Sequence, residues 1–273
     1  MVACESRTIN PFENSNGSFS LYGAMNLSEA DNYVRIKYQD TPFFVDSSEL
    51  RPITASIEEL ESGEVKQLQE YVIPQSSFPT RNFLYQKELE PRKQYQITVN
   101  GEEGETTNAS FLTPGVTQPF DIFPPVDCTV EKIYFRFDNV SESEQIIFQA
   151  GVNYEGSKHW GTIESVDQFR RLEGEDAVYV RLTARNLLVD IFPPPSEATV
   201  NVPPRFWVPS VRCSELDNLQ FTIRYFHFSS DWDSVIETGE EAVNWLESGT
   251  VTDGIGFIGG VNIGEYTFTV QFP

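Results

Sequence analysis

Imidazole carries so much acid–base and metal chemistry that the histidines come first. There are two, His159 and His227. A serine triad needs a histidine base oriented by an acid, and a zinc centre needs several nitrogen or sulfur ligands. Neither G-x-S-x-G nor H-E-x-x-H occurs. His227 lies in the alternating aromatic run Tyr225-Phe226-His227-Phe228 and reads as structural. His159 stands beside Trp160 in a loop-like stretch, Gly156 to Gly161. An exposed Trp–His pair stacks on a sugar or a peptide, or else closes over the domain's own core. Asp231-Trp232-Asp233 offers two carboxylates around an aromatic. Asp231 and Asp233 supply oxygen ligands for calcium or frame a sugar platform at Trp232; the alternative is a solvated loop with Trp232 capping the core. Glycosidases use paired carboxylates, but with 41 acidic residues such pairs arise by chance. Gly254-Ile255-Gly256-Phe257-Ile258-Gly259 matches G-x-G-x-x-G, yet only 14 residues follow it. That leaves no room for the crossover helix and second strand of a dinucleotide site, so the glycines read as a bulge or tight turn where backbones approach closely. The residues therefore assign no catalytic group and no cofactor.

The cysteines are Cys4, Cys128 and Cys213, with no CxxC spacing among them. Val2-Ala3-Cys4 has the form of a bacterial lipobox tail, an aliphatic and then a small residue before the cysteine. Cys4 is thus the expected lipidation site, and Met1 reads as an added start on a trimmed chain. Residues 5–17 are polar and small, as a tether between anchor and folded body requires. Cys128 and Cys213 each precede an apolar run and are 85 residues apart. They are a candidate disulfide, worth about 2–4 kcal/mol if unstrained; two separate buried thiols are the alternative.

Charge narrows the partners. Nineteen basic and 41 acidic residues give a net charge of −22, which repels nucleic acid and anionic membrane faces. The excess is distributed along the chain, and Lys is scarce beside Arg, at 6 to 13. Such a surface suits the salt-rich milieu of a halophile, where self-repulsion is screened. It also suits an ordinary acidic extracytoplasmic protein. No D-x-[DN]-x-[DN]-G calcium loop is present. No apolar run reaches the roughly 18 residues a membrane helix needs.

The elements that must position these residues follow a period of two. In Tyr33–Tyr38, alternation puts Tyr33, Arg35 and Lys37 on one face and Val34, Ile36 and Tyr38 on the other. Phe19–Met25, Ile53–Ile57, Phe83–Tyr85, Tyr95–Val99 and Thr107–Thr113 read as further strands, with Gly, Pro, Asn and Asp between them. The stretch 115–125 reads as a stiff linker. Strands are expected at Val130–Phe137, Ile146–Asn153, Ala177–Ala184, Leu219–Phe228 and Tyr266–Phe272. Pro193–Pro195 and Pro203-Pro204 exclude central strands. Thr238-Gly239-Glu240-Glu241 forms a capping box for a short helix ending before Gly249, and the apolar spacing in Val166–Leu172 suggests a second.

Leu89-x-Pro91-x-x-x-Tyr95-x-Ile97-x-Val99, a glycine turn and a closing strand ending in Thr113-Pro114 resemble the last hairpin of a fibronectin-type or immunoglobulin-like domain. The expected fold is mostly β: an N-terminal Ig/fibronectin-like β-sandwich plus a second β-rich, sandwich-like domain with one or two short helices. The expected division is a tether over 1–17, the sandwich over 18–115 and the second domain over 116–273. This layout resembles uncharacterised Bacteroidota-type lipoproteins, often encoded near outer-membrane receptors. The resemblance implies an outer-membrane lipoprotein on the periplasmic or cell-surface side, non-catalytic, with a receptor protein or a glycan as partner. A carbohydrate-binding accessory protein using Trp160, Trp207 and Trp232 is the alternative, and a hydrolase the third.

Overall fold

The computed structural model describes residues 18–40, 50–73, 80–117, 119–123, 132–154, 156–161, 166–171, 174, 176–183, 188–189, 191–193, 219–232 and 250–270. Cys4, Cys128, Cys213, Asp233, Trp207, Pro203-Pro204 and the capping box at 238–241 lie outside them. The described chain is mostly β and forms two compact units. One takes residues up to Thr113 together with Asp231–Gly260; the other takes Pro114–Ser230 with Val261–Pro273. The expected single cut near residue 116 takes no account of the return of 231–260 to the first unit.

The first unit begins with β1 (Phe19–Asn26), β2 (Asp31–Tyr38), β3 (Ile53–Glu59), β4 (Glu64–Gln67), β5 (Gln69–Ile73), β6 (Thr80–Gln86), β7 (Gln94–Gly101) and β8 (Thr106–Leu112). One sheet runs β1-β2-β6-β5 and the other β8-β7-β3-β4, all antiparallel. This is the strand order of an Ig/fibronectin-like β-sandwich. The two-residue period decides the burial: Asn32, Val34, Ile36 and Tyr38 point into the core while Asp31, Tyr33 and Arg35 are exposed. Phe19, Leu21, Phe83, Ile97 and Phe111 complete that core, each at most 1% exposed. Such burial stabilises by about 1.5–3 kcal/mol per large side chain. Tyr95, the tyrosine of the hairpin motif, makes a corner. Its ring stacks on Phe111 with centroids 5.4 Å apart, and its hydroxyl accepts the Glu90 N–H at 2.9 Å. A tyrosine bonded back to the backbone near the start of this strand is a hallmark of the sandwich.

The second unit contains β9 (Pro119–Phe123), β10 (Lys132–Asp138), β11 (Gln145–Tyr154), β12 (Ser157–Trp160), β13 (Val166–Arg171), β14 (Ala177–Thr183) and β15 (Leu219–Phe228). One of its sheets is ordered β13-β14-β10-β9. Two expectations are corrected here. The linker at 115–125 contains the strand β9, whose proline stands at its first position and on the sheet edge, where a missing N–H is tolerated. The helix expected at Val166–Leu172 is the strand β13. Val166 is opposite Leu182 and Phe169 opposite Val180, with a register shift between Val166 and Gln168. Three steps along β13 thus match two along β14, and this bulge makes an i, i+3 apolar spacing behave as i, i+2. A helical turn at Leu188 is closed by the Phe192 N–H on the Leu188 carbonyl, 2.8 Å.

The last elements are β16 (Val251–Thr252) and β17 (Gly254–Val270). Within the first unit β16 pairs with β8, and the beginning of β17 lies beside β1. Within the second, the remainder of β17 pairs with β15 from Val261 to Val270, giving the order β12-β11-β15-β17. The second unit therefore repeats the sandwich order of the first, with Phe137, Ala150, Val152, Val178 and Phe221 fully buried. The glycines at 254–260 do serve close approach, but the chain does not turn there. At Gly256 φ is +119°, and a Cβ would lie 1.9 Å from the Leu21 carbonyl oxygen. At Gly260 it would lie 2.2 Å from that of Leu112.

Candidate functional site

Of the aromatic and acidic residues singled out in the sequence, the described ones, His159, Trp160, Asp231 and Trp232, have partners within their own unit. In the first unit, Asp231 and Trp232 form a 3-10 turn with Ser230. Asp231 Oδ2 accepts the Leu112 N–H at 2.6 Å. The Trp232 indole N–H donates to the Gly260 carbonyl at 2.9 Å, and its ring meets Phe257 edge-on at 4.7 Å. Among the described residues no three His, Cys, Asp or Glu side chains converge as a metal site would require. In the second unit, His159 and Trp160 are half-buried on β12. His159 packs on Phe192, with ring centroids 5.6 Å apart. Trp160 lies against Gly151, where a Cβ would come within 2.8 Å of the indole. The Arg224 guanidinium sits 4.3 Å and the Lys158 ammonium 5.2 Å from its ring centroid. Glu265 accepts from Lys158 at 2.8 Å and from Arg224 at 2.8 and 2.6 Å. Those hydrogen bonds, that from Lys158 first, hold Glu265 below the usual carboxylate range. Trp160 is thus the hub of a self-neutralising cluster rather than an open stacking platform.

His227 has a partner that no local motif announced. Its ring is fully buried, and Nε2 lies 3.2 Å from Glu144 Oε2, off the line of a straight hydrogen bond. Glu144 accepts the Ser141 N–H at 2.7 Å and the Gly115 N–H at 3.0 Å. Burial pushes this carboxyl up, but the imidazole and the two N–H groups outweigh it and hold it at about 2. With 0% and 5% of their side chains exposed, the pair presents no face to a substrate. It fixes the turn before β11 against β15.

An open aromatic surface lies on the first unit, on the outward face of β1-β2-β6-β5. Tyr22, Tyr33 and Tyr71 are 41%, 44% and 52% exposed there. Register places Tyr22, Arg35, Asn82 and Tyr71 in one row across the four strands. The adjacent row holds Tyr33, Leu84 and Gln69, and the Tyr33 and Tyr71 rings stand 6.3 Å apart. Lys37 follows Arg35 on the same face, opposite Ser20. Burial, and then the charge of Arg35, lower the Lys37 ammonium from its ordinary value. Sequence alternation had grouped Tyr33, Arg35 and Lys37; only the register adds Tyr22 and Tyr71.

No protein-family model matches the chain, and no curated protein matches it. Solved structures match at low similarity. A pullulanase from Anoxybacillus sp. LM18-11 is 12% identical with a TM-score of 0.24, over 80% of this chain and 26% of its own. The tetra-tandem repeat in the extending region of a large adhesion protein is 7% identical with a TM-score of 0.24, over 93% of this chain and 49% of its own. The FN1–FN3 domains of chicken CNTN1 are 11% identical with a TM-score of 0.21, over 93% and 65%. The chain therefore spans about a quarter of the pullulanase, half of the adhesin fragment and just under two thirds of the chicken protein. Alignments this loose carry no argument about function.

Proposed function

We infer that this protein is a non-catalytic binding protein outside the cytosol, tethered by lipid on Cys4 and accessory to an outer-membrane receptor. One observation carries the binding reading. The groups best suited to chemistry, Glu144, His227 and Asp231, are used on the protein's own backbone and core, whereas the outward sheet face of the first unit displays aromatic and cationic side chains. Sandwich domains put rigid sheets behind such displays. The tether reading rests on the Val2-Ala3-Cys4 pattern and the polar stretch after it.

Three experiments test this directly. Intact-mass analysis of the protein isolated from its source membrane should find a diacylglyceryl group on Cys4; an unmodified thiol there contradicts the anchor. Pull-down from detergent-solubilised outer membranes should recover a receptor. Turnover in a broad hydrolase screen, abolished by one carboxylate substitution, overturns the non-catalytic reading. Binding of carbohydrate is the second reading, and the exposed tyrosines favour it over a purely structural role.

A further inference from the structure

We propose that the outward face of β13-β14-β10-β9 in the second unit docks a short, extended segment of a partner protein through one carboxylate, held by Arg181 beside Tyr134. The inference rests on the reading of the chain as a binding protein and names the partner chemistry of a face on its second unit. The first support is an orphaned cation. Arg181 is half-buried, and its Nε–H is buried without a hydrogen-bond partner. No ion pair reaches its guanidinium among the described residues. Register sets Tyr134 opposite Arg181 and Tyr179 opposite Arg136, a checkerboard of tyrosine and arginine. The other arginine of that square is satisfied. Arg136 Nε donates to Asp138 at 2.6 Å, and its guanidinium lies 5.6 Å from the Tyr179 ring centroid. Tyr134 is 47% exposed, so the square is open to solvent there. A cation held in a fold without a counter-charge costs stability, and a bound carboxylate recovers it through charge-assisted hydrogen bonds.

The second support is the make-up of the face. Register gives outward positions to Lys132, Arg136, Arg170 and Arg181, with Asp138 as the carboxylate among them; Asp121 and Asp167 fall within the two register shifts. Bases thus outnumber acids at these positions, against 19 to 41 over the chain. Arginine and aromatic side chains are what the centres of protein interfaces gather, and lysine, aspartate and glutamate are what they shed. Four strands at about 4.8 Å spacing and a seven-residue strand length make a face of about 14 by 24 Å. That area, about 340 Å², is below the roughly 800 Å² per partner of a stable complex between folded domains, and it fits an extended segment. The planar fork of a guanidinium matches a carboxylate, and an uncharged amide offers it no counter-charge. A polyanion is disfavoured, because the chain's charge of −22 repels it beyond the reach of one guanidinium; a single carboxylate meets mainly its local partner.

The test is a nuclear magnetic resonance titration of the full chain with the acetylated, amidated peptide Thr-Val-Glu-Val-Thr and its counterpart with glutamine for glutamate. The glutamate peptide should move an arginine Nε–H resonance together with amides of β10 and β14. The glutamine peptide should bind at least about tenfold more weakly; this arm needs no substitution and so does not depend on any variant's folding. Arg181→Met should abolish the preference for glutamate without lowering the denaturation midpoint, because it removes an unsatisfied buried donor. An arginine with a merely structural role would lose stability instead. Tyr134→Ala should weaken the glutamate peptide by about tenfold, and Arg35→Gln, on the first unit, should leave it intact. Equal binding of the two peptides, no binding of the glutamate peptide, an unchanged preference or a lowered midpoint in Arg181→Met, or tighter binding of a sulfated dextran each overturns the proposal. A chain that is lipidated and captures a receptor yet ignores the glutamate peptide overturns this inference alone.

Discussion

The two units share a strand order and differ in the sign of the charge they bury. In the first, the buried Arg81 guanidinium meets the Glu70 carboxylate and the Arg51 carbonyl, each at 2.6 Å, while other inner polar groups meet neutral partners. Asn32 Nδ2 donates to the Asn26 and Glu29 carbonyls at 3.1 Å, Thr113 Oγ1 donates to the Glu90 carbonyl at 2.7 Å, and Tyr95 closes its corner. Arg35 meanwhile stands outside without an ion-pair partner among the described residues. The second unit buries an anion instead. The Glu144 carboxylate is inside beside His227, while outward Arg224 and Lys158 share Glu265 and Arg136 pairs with Asp138 at 2.6 Å. One architecture thus tolerates either plan, provided that a buried charge meets several hydrogen-bond partners. The buried carboxylate of the second unit makes stability depend on pH.

The largest effect that sharpens this contrast should come from Gly256→Ala. Its backbone conformation and the Leu21 carbonyl both exclude a Cβ, so a loss of at least about 4 kcal/mol is expected by denaturant titration. Next, Glu144→Ala removes the acceptor for two N–H groups and the partner of His227, and should cost about 3–4 kcal/mol. Native-state hydrogen exchange on the full chain should place that loss in β11 and β15. Uniform loss across both units would break the comparison. Acid should reproduce the effect. A carboxyl ordinarily at 4.5 is held at about 2 in the folded state, so its contribution is complete above pH 4.5 and disappears as pH falls towards 2. It amounts to about 3 kcal/mol at most. Unfolding titrations at pH 6 and pH 2.5 should show that loss in the wild type and little of it in Glu144→Gln. The smallest effect is Tyr95→Phe, which keeps the ring on Phe111 but leaves the Glu90 N–H without its acceptor, about 1 kcal/mol, measured as a shift in denaturation midpoint with an unchanged slope.

How much of this was legible beforehand follows from which physics is local. The burial of β2 and the role of Tyr95 are written in spacing alone, because strand alternation and the corner each act over a few residues. The strand β13 escapes local periodicity because a bulge changes the period, and nothing in Val166–Leu172 announces a register shift against β14. The continuous run of β17 was hidden for a similar reason: glycine clusters mark close approach and turns alike. The Glu144–His227 pair joins residues 83 positions apart, and only packing brings them together. In sequence Trp160 reads as a stacking surface or as a cap on the core, because its contacts with Arg224 and Gly151 come from other strands. The tyrosine face was half visible, through Tyr33, Arg35 and Lys37; its width needed the register of β1, β5 and β6.

Native-state hydrogen exchange of the full chain at pH 6 and pH 2.5 tests the difference between the units most directly. Protection lost on acidification in β11 and β15 of the second unit, with β2 and β6 of the first keeping theirs, is the predicted result. Equal loss in the two units would contradict it.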